Sequence, residues 1–136
     1  MEDQRPMPFV GTDLVQISAF AEQLERPGST FENVFSAREL RTARTKPSRA
    51  EHLAGRWAVK EAFIKAWSQS MYGSPPPIAR DAVDFAEIET VPDRWNRIAV
   101  VVRGEVARAV GTHRVQASIS HDGDYALAVV NFWPGP

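Results

Sequence analysis

The 136-residue sequence predicts an α+β domain, with a long central helix packed on a small, mainly antiparallel sheet. Three observations carry that prediction. The first half contains two serine–glutamate helix-start signatures, the second half turns to β-branched runs separated by turn residues, and no internal repeat joins the halves. A chain of this length suits one domain spanning residues 1–136, and neither half could bury a good core alone.

The elements follow in order. Residues 1–8 are short and polar and read as a flexible N-terminal tail. Phe9 to Val15 is predicted as a strand in which Gly11 permits a close backbone approach. Ile17, Phe20, Ala21 and Leu24 recur at helical spacing until Pro27 and Gly28 stop the pattern. Ser36 with Glu39 is a capping box opening a helix that ends before Pro47. Ser48 with Glu51 repeats the signature and opens the longest helix, to about Ser70, with Leu53, Ala54, Trp57, Ala58, Ile64 and Trp67 as its apolar side. The proline-rich stretch from Tyr72 to Ile78 is a loop. Val83, Phe85 and Ile88 are predicted in a short strand, Pro92 to Asn96 in a turn, Ile98 to Val102 in a strand and Glu105 to Val110 in a short helix. Val115 to Ser120 and Tyr125 to Phe132 are predicted as a hairpin around Asp122 and Gly123.

Composition excludes several functions. With no cysteine there is no disulfide scaffold, thiolate metal site or cysteine nucleophile. No apolar run approaches the ~20 residues of a membrane span and no secretory signal opens the chain, so a soluble cytoplasmic protein without a membrane partner is expected. The net charge is −1, but Ser36 to Lys65 holds eight bases against three acids. Such clustering suits either a solvated helix face or an anionic partner. A pI near 6.3 argues against nucleic acid as that partner.

Four residues could carry chemistry. Glu61 and Lys65 are spaced i, i+4, which fits a surface ion pair or a carboxylate holding a hard cation beside an ammonium that meets phosphate. Asp13 lies inside an otherwise apolar strand, where a charge needs a partner: a backbone turn that it caps, or a metal. His121 ends a strand where the chain turns; a structural or solvated histidine and a functional one both fit. His52 and His113 share no ligand-like spacing.

Three segments occur in the order and spacing of a known family: Val10-Gly-Thr-Asp-Leu-Val15, Trp57-Ala-Val-Lys-Glu-Ala-Phe-Ile-Lys65 and Ser118-Ile-Ser-His-Asp-Gly-Asp-Tyr-Ala126. From about Val10 to Phe132 the chain resembles the holo-[acyl-carrier-protein] synthases, the small bacterial 4′-phosphopantetheinyl transferases, and around Leu53 to Trp57 it resembles their actinobacterial branch. The resemblance implies the 4′-phosphopantetheinyl transferase fold and a reaction. The 4′-phosphopantetheine group of coenzyme A, the substrate, passes to a serine of an acyl carrier protein or a carrier domain of a fatty acid synthase, and adenosine 3′,5′-bisphosphate leaves. It further implies Asp13 and Glu61 as ligands of Mg2+, Lys65 at the pyrophosphate, His121 at coenzyme A, and Arg56 and Lys60 as further phosphate contacts. A homotrimer is expected, each site combining the metal end of one subunit with the His121 strand of the next.

Two departures from the family pattern stand out. Gln16 occupies a place where many relatives carry an acid, and the first helix has no base until Arg26, where relatives present arginine to the acidic carrier. Carrier recognition is therefore expected from Arg38, Arg41 and Arg44, or the carrier is less acidic, such as a domain of a type I synthase. The competing reading is a non-catalytic carrier-binding or assembly module that keeps the fold.

Overall fold

The computed structural model describes residues 6–136, so most of the expected tail lies outside the described residues. Strand β1 (Phe9–Gln16) runs directly into helix α1 (Ile17–Glu25), followed by α2 (Ala37–Arg44) and α3 (Arg49–Ser70). Then come β2 (Ile88–Pro92), β3 (Ile98–Val102), α4 (Gly104–Val110), β4 (His113–Asp122) and β5 (Tyr125–Pro134). The strands form two antiparallel sheets rather than the single sheet expected: three strands in the order β1-β5-β4, and the pair β2-β3.

Helix α3 spans the molecule because small residues let it approach the larger sheet closely. Ala54, Ala58, Ala62 and Ala66, four apart, form a fully buried ridge, and Val15, Ala126, Ala128, Val130 and Phe132 face it from the sheet. At Gly11 the two backbones nearly touch: a Cβ there would lie 1.9 Å from the Ala62 carbonyl oxygen. Only glycine fits, and this contact sets the height of β1 on the helix. Phe63 and Phe132 fill the adjoining core edge to face, 5.7 Å apart; truncating either to alanine would cost about 3–5 kcal/mol.

The capping signatures hold. Ser36 Oγ accepts from Glu39 N at 3.2 Å and the Glu39 carboxylate accepts from Ser36 N at 2.9 Å, a complete box. Ser48 accepts from Glu51 N at 3.2 Å. Helix α1, whose Gln16 cap makes no side-chain bond, is capped from afar: Asp124 at the hairpin tip accepts Ile17 N through its carbonyl and Ser18 N and Oγ through its carboxylate.

That cap explains one correction. Strand β4 continues through Asp122, which pairs with Tyr125, so the hairpin turns at Gly123 and Asp124, with Gly123 at φ 56°. A second correction concerns the predicted strand through Val83, Phe85 and Ile88. Short 3-10 turns occupy Arg80–Ala82 and Phe85–Glu87, and β2 begins at Ile88. Asp84 accepts from Ala86 N at 3.1 Å, an Asx turn that overrides the β-forming tendency of the valine and phenylalanine.

Candidate active site

Alternation along β1 places Gly11, Asp13 and Val15 toward α3, so the close approach at Gly11 also delivers Asp13 to the flank of the helix. Lys65 meets it there: its Nζ donates to Asp13 Oδ1 at 3.0 Å and to the Thr12 carbonyl at 2.9 Å. Lys65 therefore pairs with Asp13, while Glu61, one turn back, stands beside them. Burial pushes the Glu61 carboxyl above its ordinary range, and the Asp13 charge adds to the push; Lys65 and Arg80 oppose it. Two mutually repelling carboxylates with a cation alongside suit a hard divalent ion that takes its remaining oxygens from phosphate and water. Among the described residues no three His, Cys, Asp or Glu side chains cluster as an all-protein metal cage.

A cavity of about 620 Å³ opens at this end. Glu61, Lys65 and Arg80 line its polar part, and Trp67, Ile78 and Phe85 are among the residues of its apolar part. Arg80, which lies just past the predicted proline-rich loop, was not among the sequence candidates.

The other flank of α3 carries a different cavity, of about 520 Å³, lined among others by Lys46, His52, Arg56, Arg97 and His121. His121 is the last inward-facing residue of β4, and its Nε2 lies 3.3 Å from the Glu51 carbonyl oxygen. Arg56 has its guanidinium pKa lowered by burial, partly offset by Glu39. His52 joins this cavity although sequence reasoning gave it no role; its i, i+4 relation to Arg56 was the available signal. Burial, then Arg56, Lys46 and His121, hold His52 down at a pKa of about 4, so it is neutral at pH 7. His113 is structural, stacked on Phe132 at 5.5 Å.

Lys60 is the correction among the expected site residues. Its side chain is fully buried, and Nζ donates to Glu39 Oε1 at 2.8 Å and to the carbonyls of Phe85 and Ile88. With all three protons engaged inside the core it contacts no phosphate. Glu39 is satisfied as fully, its other oxygen accepting Thr90 N at 2.9 Å and Thr90 Oγ1 at 2.7 Å. Position 60 points between α2 and β2, whereas 61 and 65 point to the flank with β1.

Comparison with known proteins places this arrangement. A sequence model of the 4′-phosphopantetheinyl transferase superfamily matches residues 9–130. A holo-[acyl-carrier-protein] synthase of Corynebacterium glutamicum is 55% identical over 128 residues, covering 90% of this chain and 95% of the relative. One of Mycobacterium ulcerans is 45% identical over 121 residues, covering 88% and 92%. A solved structure described as a Chronobacterium ammoniagenes ACPS-CoA complex superposes with a TM-score of 0.91 at 56% identity, covering 96% of this chain and all of that one. The match therefore takes in β1, α3 and the closing hairpin together, with Asp13, Glu61, Lys65 and His121 all inside it, and the chain belongs to the holo-[acyl-carrier-protein] synthases of the 4′-phosphopantetheinyl transferase superfamily.

Proposed function

We propose that this chain transfers the 4′-phosphopantetheine group of coenzyme A to a serine of an apo acyl carrier protein or carrier domain of a fatty acid synthase. Adenosine 3′,5′-bisphosphate is the other product. The serine Oγ forms a bond to the phosphorus next to the pantetheine arm, the bond from that phosphorus to the bridging oxygen breaks, and the hydroxyl proton is released. The observation that carries the reading is the convergence of Asp13, Glu61 and Lys65 in a chain of this family, with Glu61 and Lys65 lining one cavity and Asp13 bonded to Lys65.

Asp13 and Glu61 would hold Mg2+, which when bound would neutralise charge on the pyrophosphate oxygens. Lys65, fixed by Asp13 and the Thr12 carbonyl, brings a positive charge to the same place. The serine proton passes to Lys65, Glu61 or a water. At the other flank, Arg56 and His121 would bind the nucleotide part of coenzyme A, with His52 and Lys46 beside them.

The two groups of residues lie on separate flanks of one helix, and this supports a homotrimer in which neighbours complete each other's sites. The outer face of the larger sheet supports the same reading. Leu14 is 62% exposed and directly opposite Leu127 at 40%, with Val10, Tyr125 and Val129 also exposed around them. An apolar patch of this kind is an interface signature, and head-to-tail contacts close into a ring. No helix among the described residues is long and apolar enough to cross a membrane.

The test is incubation with coenzyme A, Mg2+ and a panel of apo carriers, both free proteins and domains of type I synthases. A functional transferase adds ~340 Da to the carrier, the mass of the transferred arm. If every carrier stays unmodified while still binding the protein, the chain is instead a non-catalytic carrier-binding module.

A further inference from the structure

Gly55 sits in the middle of α3, where glycine is a weaker helix former than alanine, and its φ is not positive. Helix geometry does not call for it. His121 does. A Cβ at position 55 would lie 2.9 Å from His121 Nε2, 3.2 Å from His121 Cε1 and 3.1 Å from Ile119 Cγ2. The imidazole thus rests against bare helix backbone, with Nε2 3.3 Å from the Glu51 carbonyl one turn earlier. A carbonyl oxygen only accepts, so Nε2 carries the proton in this contact and Nδ1 is the ring nitrogen left over. The carbonyl has a second lone pair beyond the one used by the helical bond from Gly55 N, and sideways access to it runs past position 55.

We propose that Gly55 is a positioning residue for His121. The missing side chain lets the ring seat Nε2 on the Glu51 carbonyl, and that seating leaves Nδ1 for a ligand in the cavity shared with Arg56 and His52, where it donates to an anionic oxygen once the ring carries its second proton. The ligand half of this statement rests on the proposed function, in which His121 contacts coenzyme A. The seating half stands on the geometry alone.

The experiment compares Gly55→Ala, His121→Ala and the double variant, all as full chains. Ring-nitrogen NMR of the ligand-free protein is expected to show the Nε2–H form of neutral His121 in the parent and a loss of that preference in Gly55→Ala. Calorimetric titration with coenzyme A is expected to show roughly tenfold weaker binding for Gly55→Ala, approaching that of His121→Ala. The double variant is expected to bind no more weakly than His121→Ala, since the added methyl then has no imidazole to displace and meets only Ile119 Cγ2. If Gly55→Ala lowers the melting temperature, His121→Ala is expected to restore it by emptying the same space. Unchanged ring nitrogens in Gly55→Ala overturn the proposal. So does an equal loss of affinity on adding Gly55→Ala to His121→Ala, or a double variant that regains none of the lost stability. Shifted ring nitrogens with normal coenzyme A binding by His121→Ala uphold the seating and overturn only the contact with coenzyme A.

Discussion

The two cavities share a helix and differ in almost everything else. The cavity around His121 gathers Lys46, Arg56 and Arg97, with no carboxylate in its lining among the described residues and with His52 kept neutral by burial and then by its cationic neighbours. It is built for negative charge and has little else to offer. The cavity at the other flank sets Glu61, with its raised pKa, against Lys65 and Arg80, and continues into an apolar groove under the proline loop. That end suits a cation, an anion and an extended apolar segment together. A nucleotide handle and a reacting centre need these two environments, and one copy of the chain offers them on different sides of α3. Under the proposed function an isolated subunit carries two halves of a site, and the contrast can be tested from either side.

The largest effect is expected at the reacting end. Glu61→Gln and Asp13→Asn keep the shape and remove a charge, so each should lower turnover by about a hundredfold to a thousandfold or more. Glu61→Gln should leave the melting temperature unchanged or raised, because the repulsion from Asp13 disappears. Near-normal turnover in Glu61→Gln would refute its role. Refolding Glu61→Gln together with His121→Ala extends the test: mixed trimers should regain activity through interfaces that pair an intact carboxylate end with an intact histidine. Confirmed mixed trimers with no rescue, while His121→Ala alone is impaired, would break the shared-site reading.

Next comes stability, where two lysines five residues apart should behave oppositely. Lys60→Met leaves Glu39 charged and buried without its partner, which should cost about 3–5 kcal/mol. Lys65→Ala removes a half-exposed side chain and should change stability by only about 0.5 kcal/mol while lowering turnover. Urea unfolding and turnover, measured on both variants, separate the roles. A Lys60→Met protein as stable as the parent would contradict the buried pairing.

Their contrast also shows which parts of the site the sequence could reveal. Glu61 and Lys65 were legible because i, i+4 spacing is a property of one helix, and Asp13 because a charge in an apolar strand needs a reason. Lys60 looks like its motif neighbours, and its burial depends on Glu39 from α2 and on carbonyls near β2, which no local pattern reports. The role of Glu39 was half visible, as a capping residue; its second function, holding Thr90 and Lys60, was not. The helices were placed well because caps are local. The segment before β2 was misread because a single Asx turn at Asp84 outweighed its β-forming residues. The hairpin turn shifted because Asp124 is recruited as the distant cap of α1.

The two ends should also respond to pH with opposite sign. His52 has a folded pKa of about 4, below the ordinary 6.5, so between these values the unfolded chain binds more protons and stability falls as pH falls. The loss from pH 7.5 to 5 should be about 2 kcal/mol. Glu61 has a raised folded pKa, so above its ordinary 4.5 and up to that raised value the folded chain binds more protons and stability falls as pH rises. Urea unfolding of parent, His52→Gln and Glu61→Gln across this range checks both signs. His52→Gln should flatten the acid loss; a parallel curve would mean that His52 is not held neutral.

The smallest effect is expected on the surface that meets the carrier. Helix α1 exposes Glu22 and Glu25, with Arg26 paired back to Glu22, and is poorly suited to an acidic partner. Helix α2 exposes Arg38, Arg41 and Arg44, spaced three apart within about a third of the helix circumference, and none forms an ion pair among the described residues. Against the upward push of burial, Ser36 and Arg103 lower the Glu89 pKa and Arg38 adds a smaller share, which leaves Arg41 and Arg44 as the less committed charges. Rim charges mainly govern association rate and salt dependence. The double reversal Arg41→Glu with Arg44→Glu should therefore raise KM for an acidic carrier roughly tenfold at low salt, with a smaller effect at high salt. The KM for coenzyme A should stay as in the parent, because neither arginine lines the cavity around His121. A rise in KM for coenzyme A instead would assign these arginines to the nucleotide end, and unchanged values for both substrates would move the carrier to another face.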